Sequence, residues 1–450
     1  VRDRRPSSER HYTGGRWGSA GGLWRNGDFL KLWAGQSVSL LGSQVTLVAL
    51  PLAGILVLHA KAGQLGLLNA AEYTPVLLIT LIGGVWADRY RRRPLMLASN
   101  VGLALVTGVI PVLGWLGLLS MNILFVVAFA AGIFTAQFNV TYIAYLPTLV
   151  DKKDLVGGNS KLQASQSIAQ VAGQGASGVL VQLLTAPGAI LVDSISYLVA
   201  AVGMLSIRTR EAMPQRAMRR SIAREAGEGL RLTWSSNLLR SLIIESAWFN
   251  MFNDVVVVVI PIYALRTLHL HPATLGLIIA SGSIGAFTGA VLAGRIARRI
   301  GVGPAMASGM LAACVAYEVL PLAGGRHLVL ISLLVACYIV YGAGMALFNV
   351  HSLSIRQTLV PNHMLGRVTA SYRLVSWATI PVGGALGGLV AEVAGSRVAL
   401  LIAGSALMAG ALIFATTRSA RLRTLEDIPT DLQLTAPPIP VTSSPQGQEG

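Results

Sequence analysis

Ionisable residues are scarce in this chain, and they are not arranged for breaking bonds. The densest group lies in the stretch GGVWADRYRRRPLM (Gly83 to Met96), where one carboxylate, Asp88, stands among Arg89, Arg91, Arg92 and Arg93. No glycine-rich phosphate loop and no nucleophile–base pattern occurs, so no enzyme is expected. Cys314 and Cys337 fall in apolar runs without metal-type spacing, and neither a metal nor a cofactor is expected. What remains is a set of isolated polar groups in apolar surroundings. These are the acids Glu72, Asp193 and Asp254, the glutamines Gln163, Gln166, Gln170 and Gln174, and the cation Arg373. Such groups can carry protons, hydrogen-bond a ligand or hold helices together.

The elements that position them follow from composition. Of the 450 residues 53% are hydrophobic and 12% charged, with a mean hydropathy of +0.63, against about 25% charged in soluble domains. Twelve apolar runs have spanning length, about 20 residues being needed to cross a bilayer. They cover roughly 31–58, 65–87, 95–116, 121–145, 160–184, 187–206, 241–265, 271–294, 302–323, 328–352, 368–394 and 397–417. The composition predicts an all-α integral membrane protein with twelve transmembrane helices. The first run is too long for the core of a signal peptide, and eleven more follow it.

A net charge of +16 invites a nucleic-acid reading. Topology accounts for it instead. With both termini in the cytoplasm, only Lys61, Arg266, Arg326 and Arg397 of the 35 Lys and Arg fall on the outer side. Positive residues collect on the cytoplasmic side of short loops, so no nucleic-acid partner is expected. The polar arm 1–27 and the tail 418–450 have the composition of disordered segments.

The chain also repeats itself. FNVTYIAYLPTLVDKKDL (Phe138 to Leu155) matches FNVHSLSIRQTLVPNHML (Phe348 to Leu365) at a spacing of 210, which also sets Pro51 on Pro261 and Gly173 on Gly383. At 206, AGRIARR (Ala293 to Arg299) lies on ADRYRRR (Ala87 to Arg93). Two six-helix halves are therefore expected, 28–206 and 241–417, joined by a basic linker at 207–240. Parallel repeats of this kind describe a transporter architecture with its site between the halves near the midplane.

At this point the sequence resembles the major facilitator superfamily. The loop signature G-x-x-x-D-R-x-G-R-R is filled by Gly84, Asp88, Arg89, Arg92 and Arg93, with Arg91 in place of the second glycine. YLPTLVDKKDLVGGNS and ILVDSISYLVAA are similar to the branch holding macrolide exporters and the enterobactin exporter. The resemblance covers residues 28 to 417 and implies two pseudo-symmetric halves around a central cavity. It also implies that Asp88 engages the cytoplasmic end of the eleventh helix, near Gly366 and Arg367, where the helix N-terminus attracts a carboxylate. A local ion pair with its own arginines is the other reading. In the repeat Gly294 takes the place of Asp88, so the two inner latches differ.

Inside the spans, ionisable residues mark function by default. Asp254 is the most interior acid, about 13 residues and roughly 20 Å into the seventh span. It shares a helix face with Ser246 and Asn250. A poorly hydrated carboxylate there suits proton coupling, with Glu72, just before Pro75, as the second candidate. Asp193 fits a structural role with Ser194 or Ser196. Glu245, Glu318 and Glu392 sit near span ends, where snorkelling accounts for them.

The four glutamines share one face of the fifth span. That face is either a polar cavity wall or interhelical glue. Asn139 and Asn349, paired by the repeat, are expected at the cavity edge, and Arg373 either snorkels or faces the cavity. Gly173, Gln174 and Gly178 occupy a degenerate form of the family's antiporter motif G-x-x-x-G-P-x-x-G-G, in which Gln174 replaces proline. The small residues for close packing survive, and the proline kink is lost.

The reading that results is a monomeric secondary transporter of the bacterial inner membrane. It exports a small amphipathic substrate (an antibiotic or siderophore-like compound) by alternating access with proton antiport. The alternatives are proton-independent transport of a lysophospholipid or siderophore, and a membrane receptor or assembly partner with no flux.

Overall fold

In the computed structural model the described residues are 21–89, 91–151, 154–209, 211 and 222–424; at 21–22, 80–89, 143–144, 222–226 and 362–363 they are described by backbone alone. Every regular element among them is helical. The main helices are α1 (Gly21–Arg25), α2 (Gly27–Leu56), α3 (Ala62–Arg89), α4 (Arg92–Trp115), α5 (Met121–Leu149), α6 (Leu155–Leu205) and α7 (Ile222–Ser235). They continue with α8 (Asn237–Ile262), α9 (Pro272–Ile300), α10 (Val302–Val319), α11 (His327–Leu359), α12 (Asn362–Ala378), α13 (Ile380–Ala394) and α14 (Ser396–Thr416).

Ten helical stretches among the described residues are long and apolar enough to cross a bilayer. One of the ten, α6, holds both the fifth and the sixth expected spans. Its 51 residues would make a rod about 75 Å long at 1.5 Å per residue, far beyond a hydrocarbon core of about 30 Å. The helix breaks at Thr185, whose φ of 70° is non-helical. The second expected span is α3, and the eleventh is split into α12 and α13 at Thr379, which donates its hydroxyl to Ala247 O at 2.9 Å.

The 210-residue repeat extends to the helix caps and turns. Asn26 caps α2 by accepting from Phe29 N–H at 3.0 Å, and its counterpart Ser236 caps α8 from Leu239 N–H. His59 and His269 both take positive φ where the chain leaves α2 and the helix after α8. The next N–H then bonds back, Ala60 to Gly54 O at 2.8 Å and Leu270 to Ala264 O at 2.9 Å.

Call the end of the bundle that holds both chain ends the near end, and the opposite one the far end. At the near end the starts of α4 and α10 expose N–H groups that need acceptors. Glu211 takes those of Arg92 and Arg93 at 2.9 and 3.1 Å, while the carbonyls of Arg423 and Leu422 take those of Val302 and Gly303. On one side, Gly21–Arg25 of the arm expected to be disordered over 1–27 is helical. On the other, the chain past α14 is held to α10 by its own backbone. The remainder of both segments, 1–20 and 425–450, lies outside the described residues.

The linker contains an amphipathic helix, α7, laid against α12. Glu228 pairs with Arg367 at 2.9 Å, and Gly229 lets the backbone approach, since a Cβ there would stand 2.5 Å from Arg367 O. Arg367, the expected neighbour of Asp88, thus meets a linker carboxylate in this state. The side chains of Gly84, Asp88 and Arg89 lie outside the described residues. Arg93 holds the C-terminal carbonyls of α6, donating to Met204 O at 3.1 Å and Leu205 O at 2.9 Å.

Candidate transport cavity

A cavity of about 700 Å³ lies between the halves, walled by α2, α3 and α6 on one side and by α8, α9, α10, α11 and α13 on the other. Its amides and carboxyls are Asn69, Glu72, Gln170, Gln174, Asn250, Asn253, Asp254 and Asn349. One wall is aromatic. The rings of Tyr317 and Tyr341 stack at 4.3 Å with 12° between planes, Tyr338 meets both edge-on, and Asn253 Oδ1 accepts from Tyr341 at 2.9 Å and Tyr317 at 3.3 Å. Those bonds satisfy the hydroxyls of Tyr317 and Tyr341, and all three rings line the cavity.

The polar face of α8 is spent along α12 and α13. Ser246 bonds the Tyr372 hydroxyl, Asn250 donates to Ser376 O at 2.8 Å, and Asp254 reaches Gly384. Among the lining residues Gln174 and Tyr338 are buried, whereas Gln170, Asn349 and Val350, nearer the chain ends, are exposed, as are Leu47 of α2 and Val257 of α8.

The far end is closed by contact between the halves. Gly66 of α3 faces Gly388 of α13, and at the spacing of the repeat Gly276 of α9 faces Gly178 of α6. A Cβ on Gly388 would stand 2.5 Å from Ala62 O, one on Gly276 3.0 Å from Gln174 O, and one on Gly66 or Gly178 would collide with Gly384 O or Pro272 O. Such close approach needs residues without side chains. Arg266 adds a bond to Ala60 O at 2.8 Å, and Glu392 accepts from Gly63 N–H at 3.0 Å. Glu392, which snorkelling alone would explain, therefore ties one half to the other.

The cavity gathers Glu72, Asp254, Asn250, Asn349, Gln170 and Gln174. Gln163, Gln166 and Asn139 are exposed and are not among its lining residues. Arg373 is exposed, stands over the Trp377 ring at 5.8 Å and does not line the cavity either. Gln174 donates to Gln44 Oε1 at 3.1 Å, so it pairs with α2 as well as facing the cavity. Gly173 packs on Gln44 and Leu41 within its own half, while Gly178 packs on the other half. Asp193 is fully buried outside the cavity and accepts from Ser196 at 3.1 Å.

Asn69, Asn253 and the three tyrosines were not picked out from the sequence. Tyr338 and Tyr341 could have been found, because they sit three apart on one face of the tenth span.

Gln170 gives a direct test of the wall. It lines the cavity and is exposed to it, so Gln170→Ala is expected to change the ratio of transport rates between substrates by about threefold to tenfold. Membrane abundance should stay near wild type. An equal loss for every substrate, tracking lower abundance, would make Gln170 a packing residue.

Known proteins of this shape and sequence fall together. The multidrug efflux pump Tap of Mycobacterium tuberculosis (strain ATCC 25618 / H37Rv) is 26% identical over 388 residues, covering 83% of this chain and 89% of the pump. Macrolide efflux protein A of Streptococcus pyogenes is 21% identical over 392 residues, 86% of this chain and 94% of that protein. Among solved structures, the nucleoside transporter NupG superposes with a TM-score of 0.71 at 12% identity, covering 86% of this chain and 98% of its own. A bacterial homologue of the lysosomal transporter Spinster, in an inward-facing and unoccupied conformation, gives 0.67 at 14%, covering 88% and 96%. These likenesses establish the fold as that of major facilitator transporters. Over residues 20–445 the sequence matches the transmembrane secretion effector family of that superfamily, and this chain, a multi-pass membrane transporter of small molecules, belongs to it.

Proposed function

We propose that the protein exports a small amphipathic organic compound from the cytoplasm by alternating access, in exchange for protons. The observation that carries this is the cavity between the halves, closed at the far end by two glycine pairs related by the repeat, with Gln170, Asn349 and Val350 exposed on its near side. With both termini in the cytoplasm, as the placement of the cations indicates, this is the state that receives a cytoplasmic ligand. A wall of stacked tyrosines beside amides and two carboxyls suits a compound with one apolar, planar face and one polar edge. The names of the relatives, multidrug and macrolide efflux, support the same substrate class. Asp254 is the proton carrier on this reading, with Glu72 as the second site, because both acids line the cavity.

A second reading keeps transport and drops the proton, moving a lysophospholipid or siderophore. It is favoured by Gln174 standing where antiporters carry proline. Inverted vesicles loaded with the protein separate the two. Uptake of a macrolide or a cationic dye that rises with an imposed pH gradient, and collapses when the gradient is dissipated, supports antiport. Uptake indifferent to the gradient supports the second reading. No flux of any amphipathic compound would leave a transporter-shaped receptor or assembly partner.

A further inference from the structure

We infer that the side-chain amide of Asn69 is the partner for a proton carried on Asp254, so that loading this proton draws the halves together at the far end. The inference deepens the antiport reading and rests on it.

The argument starts from the repeat. Residues 44 and 254 occupy equivalent positions, as do 174 and 384. In the first half Gln44 and Gln174 bond each other at 3.1 Å. In the second half the pair is Asp254 and Gly384, and the glycine has no side chain to offer. The carboxyl is buried, 5% exposed, and is left to find a partner across the interface.

That partner is Asn69 on α3 of the other half. Its side chain is within hydrogen-bonding reach of Asp254. Asn69 Oδ1 and Asp254 Oδ2 also converge on one point, 2.6 and 2.7 Å from where a Cβ of Gly384 would stand, and neither oxygen has a hydrogen-bond partner. Carboxamide and carboxyl oxygens thus lie together over Gly384. With Asp254 ionised, both of these oxygens are acceptors and neither can satisfy the other. With Asp254 protonated, Oδ2–H can donate to Asn69 Oδ1. One proton satisfies two buried acceptors.

The place of this pair gives the proton its effect. Gly384, which both oxygens face, also lends its carbonyl to the contact with Gly66. The pair can form only when α3 and α13 are in contact, that is, with the far end shut. Among the described residues the ionisable groups that bear on Asp254 are Glu72 and Tyr73, both on α3, and Gly384 of α13 lies against it.

The test is accessibility of the far end against pH, with no substrate and no gradient. Single cysteines replace Leu52 or Ile260, buried lining residues near the far ends of α2 and α8, in a full-length chain whose Cys314 and Cys337 are alanine. In the wild-type background, acidification should slow maleimide labelling about threefold to tenfold, the bias one hydrogen bond supplies. Asn69→Leu should abolish that pH dependence, with Asn69→Ala as a smaller replacement should leucine prevent folding. Asp254→Asn should label slowly at every pH, because an amide donor replaces the proton. Glu72→Gln should keep the amplitude of the profile, with its midpoint moved by loss of the neighbouring charge.

An unchanged profile in a monodisperse Asn69 variant overturns the inference. So does faster labelling on acidification, or loss of the profile in Glu72→Gln. If labelling in the wild type is indifferent to pH while a gradient still drives efflux, the inference fails and antiport stands. If labelling responds and efflux ignores the gradient, the pair is real and the antiport reading fails.

Discussion

Gly66→Ala is expected to leave the protein inserted and monodisperse but to remove most of its transport. The three heavy atoms nearest the new methyl group are all backbone of the opposite half, the Gly384 carbonyl first and then Gly388. Backbone cannot rotate away as a side chain does, so the halves must separate by a fraction of an ångström or more. Overpacking of this kind costs about 1–3 kcal/mol, and the cost falls only on the far-closed state. A change of 1.4 kcal/mol shifts an equilibrium tenfold, enough to move the population toward the far-open state. Adding Gly276→Ala, its counterpart in the repeat, should deepen the effect. Far-end cysteines should label faster in both variants.

Two controls separate gating from folding. Gly342→Ala meets Gly282 O within one half and should lower the amount of folded protein at any conformation. Gly27→Ala has open space around it and should behave as wild type. Transport by Gly66→Ala at the wild-type rate, with unchanged labelling, would show that the far end closes without this contact.

Much of the architecture was legible because a bilayer imposes its own period. Hydrophobic runs of about 20 residues and the side on which Lys and Arg accumulate are direct consequences of the solvent. The repeat could be read from FNV and TLV because those residues are shared. The cap pair Asn26 and Ser236 shows where such reading stops: the role is repeated and the residue type is not. The boundary between the fifth and sixth spans was legible too: the apolar runs divide between 184 and 187, and the helix breaks at Thr185, two residues before Pro187.

The site was harder for a different reason. The depth of Asp254 in its span follows from counting residues, and it does line the cavity. The partnership with Asn69 depends on how two halves meet, which no count along one helix contains. The glutamine face illustrates the same limit. The increments of 3, 4 and 4 put four residues on one side of a helix, but the cavity meets only the deeper two, Gln170 and Gln174. Gly178 was visible as a small residue in a degraded motif. Its function as one quarter of a double glycine contact needed Gly276 beside it.

The energetic consequence of that geometry is sharpest at Asp254. Replacing it with asparagine keeps the shape and a hydrogen-bond donor toward Asn69 but removes the proton that its carboxyl can take up and release. The variant is expected to bind substrate as wild type does. It should also equilibrate substrate downhill, because one amide bond of about 0.5–1.5 kcal/mol biases the far-closed state without locking it. Efflux driven by a pH gradient should be lost, since the free energy of proton entry has no carrier through which to act. Downhill exchange should then be the same at every external pH, in contrast to the wild type. Glu72 sets the alternative outcome. It lines the same cavity, and if it is the true carrier, Asp254→Asn will retain gradient-driven efflux while Glu72→Gln loses it. Substrate binding by calorimetry, exchange without a gradient and uptake with one, measured on both variants, assign the proton to one carboxyl or the other.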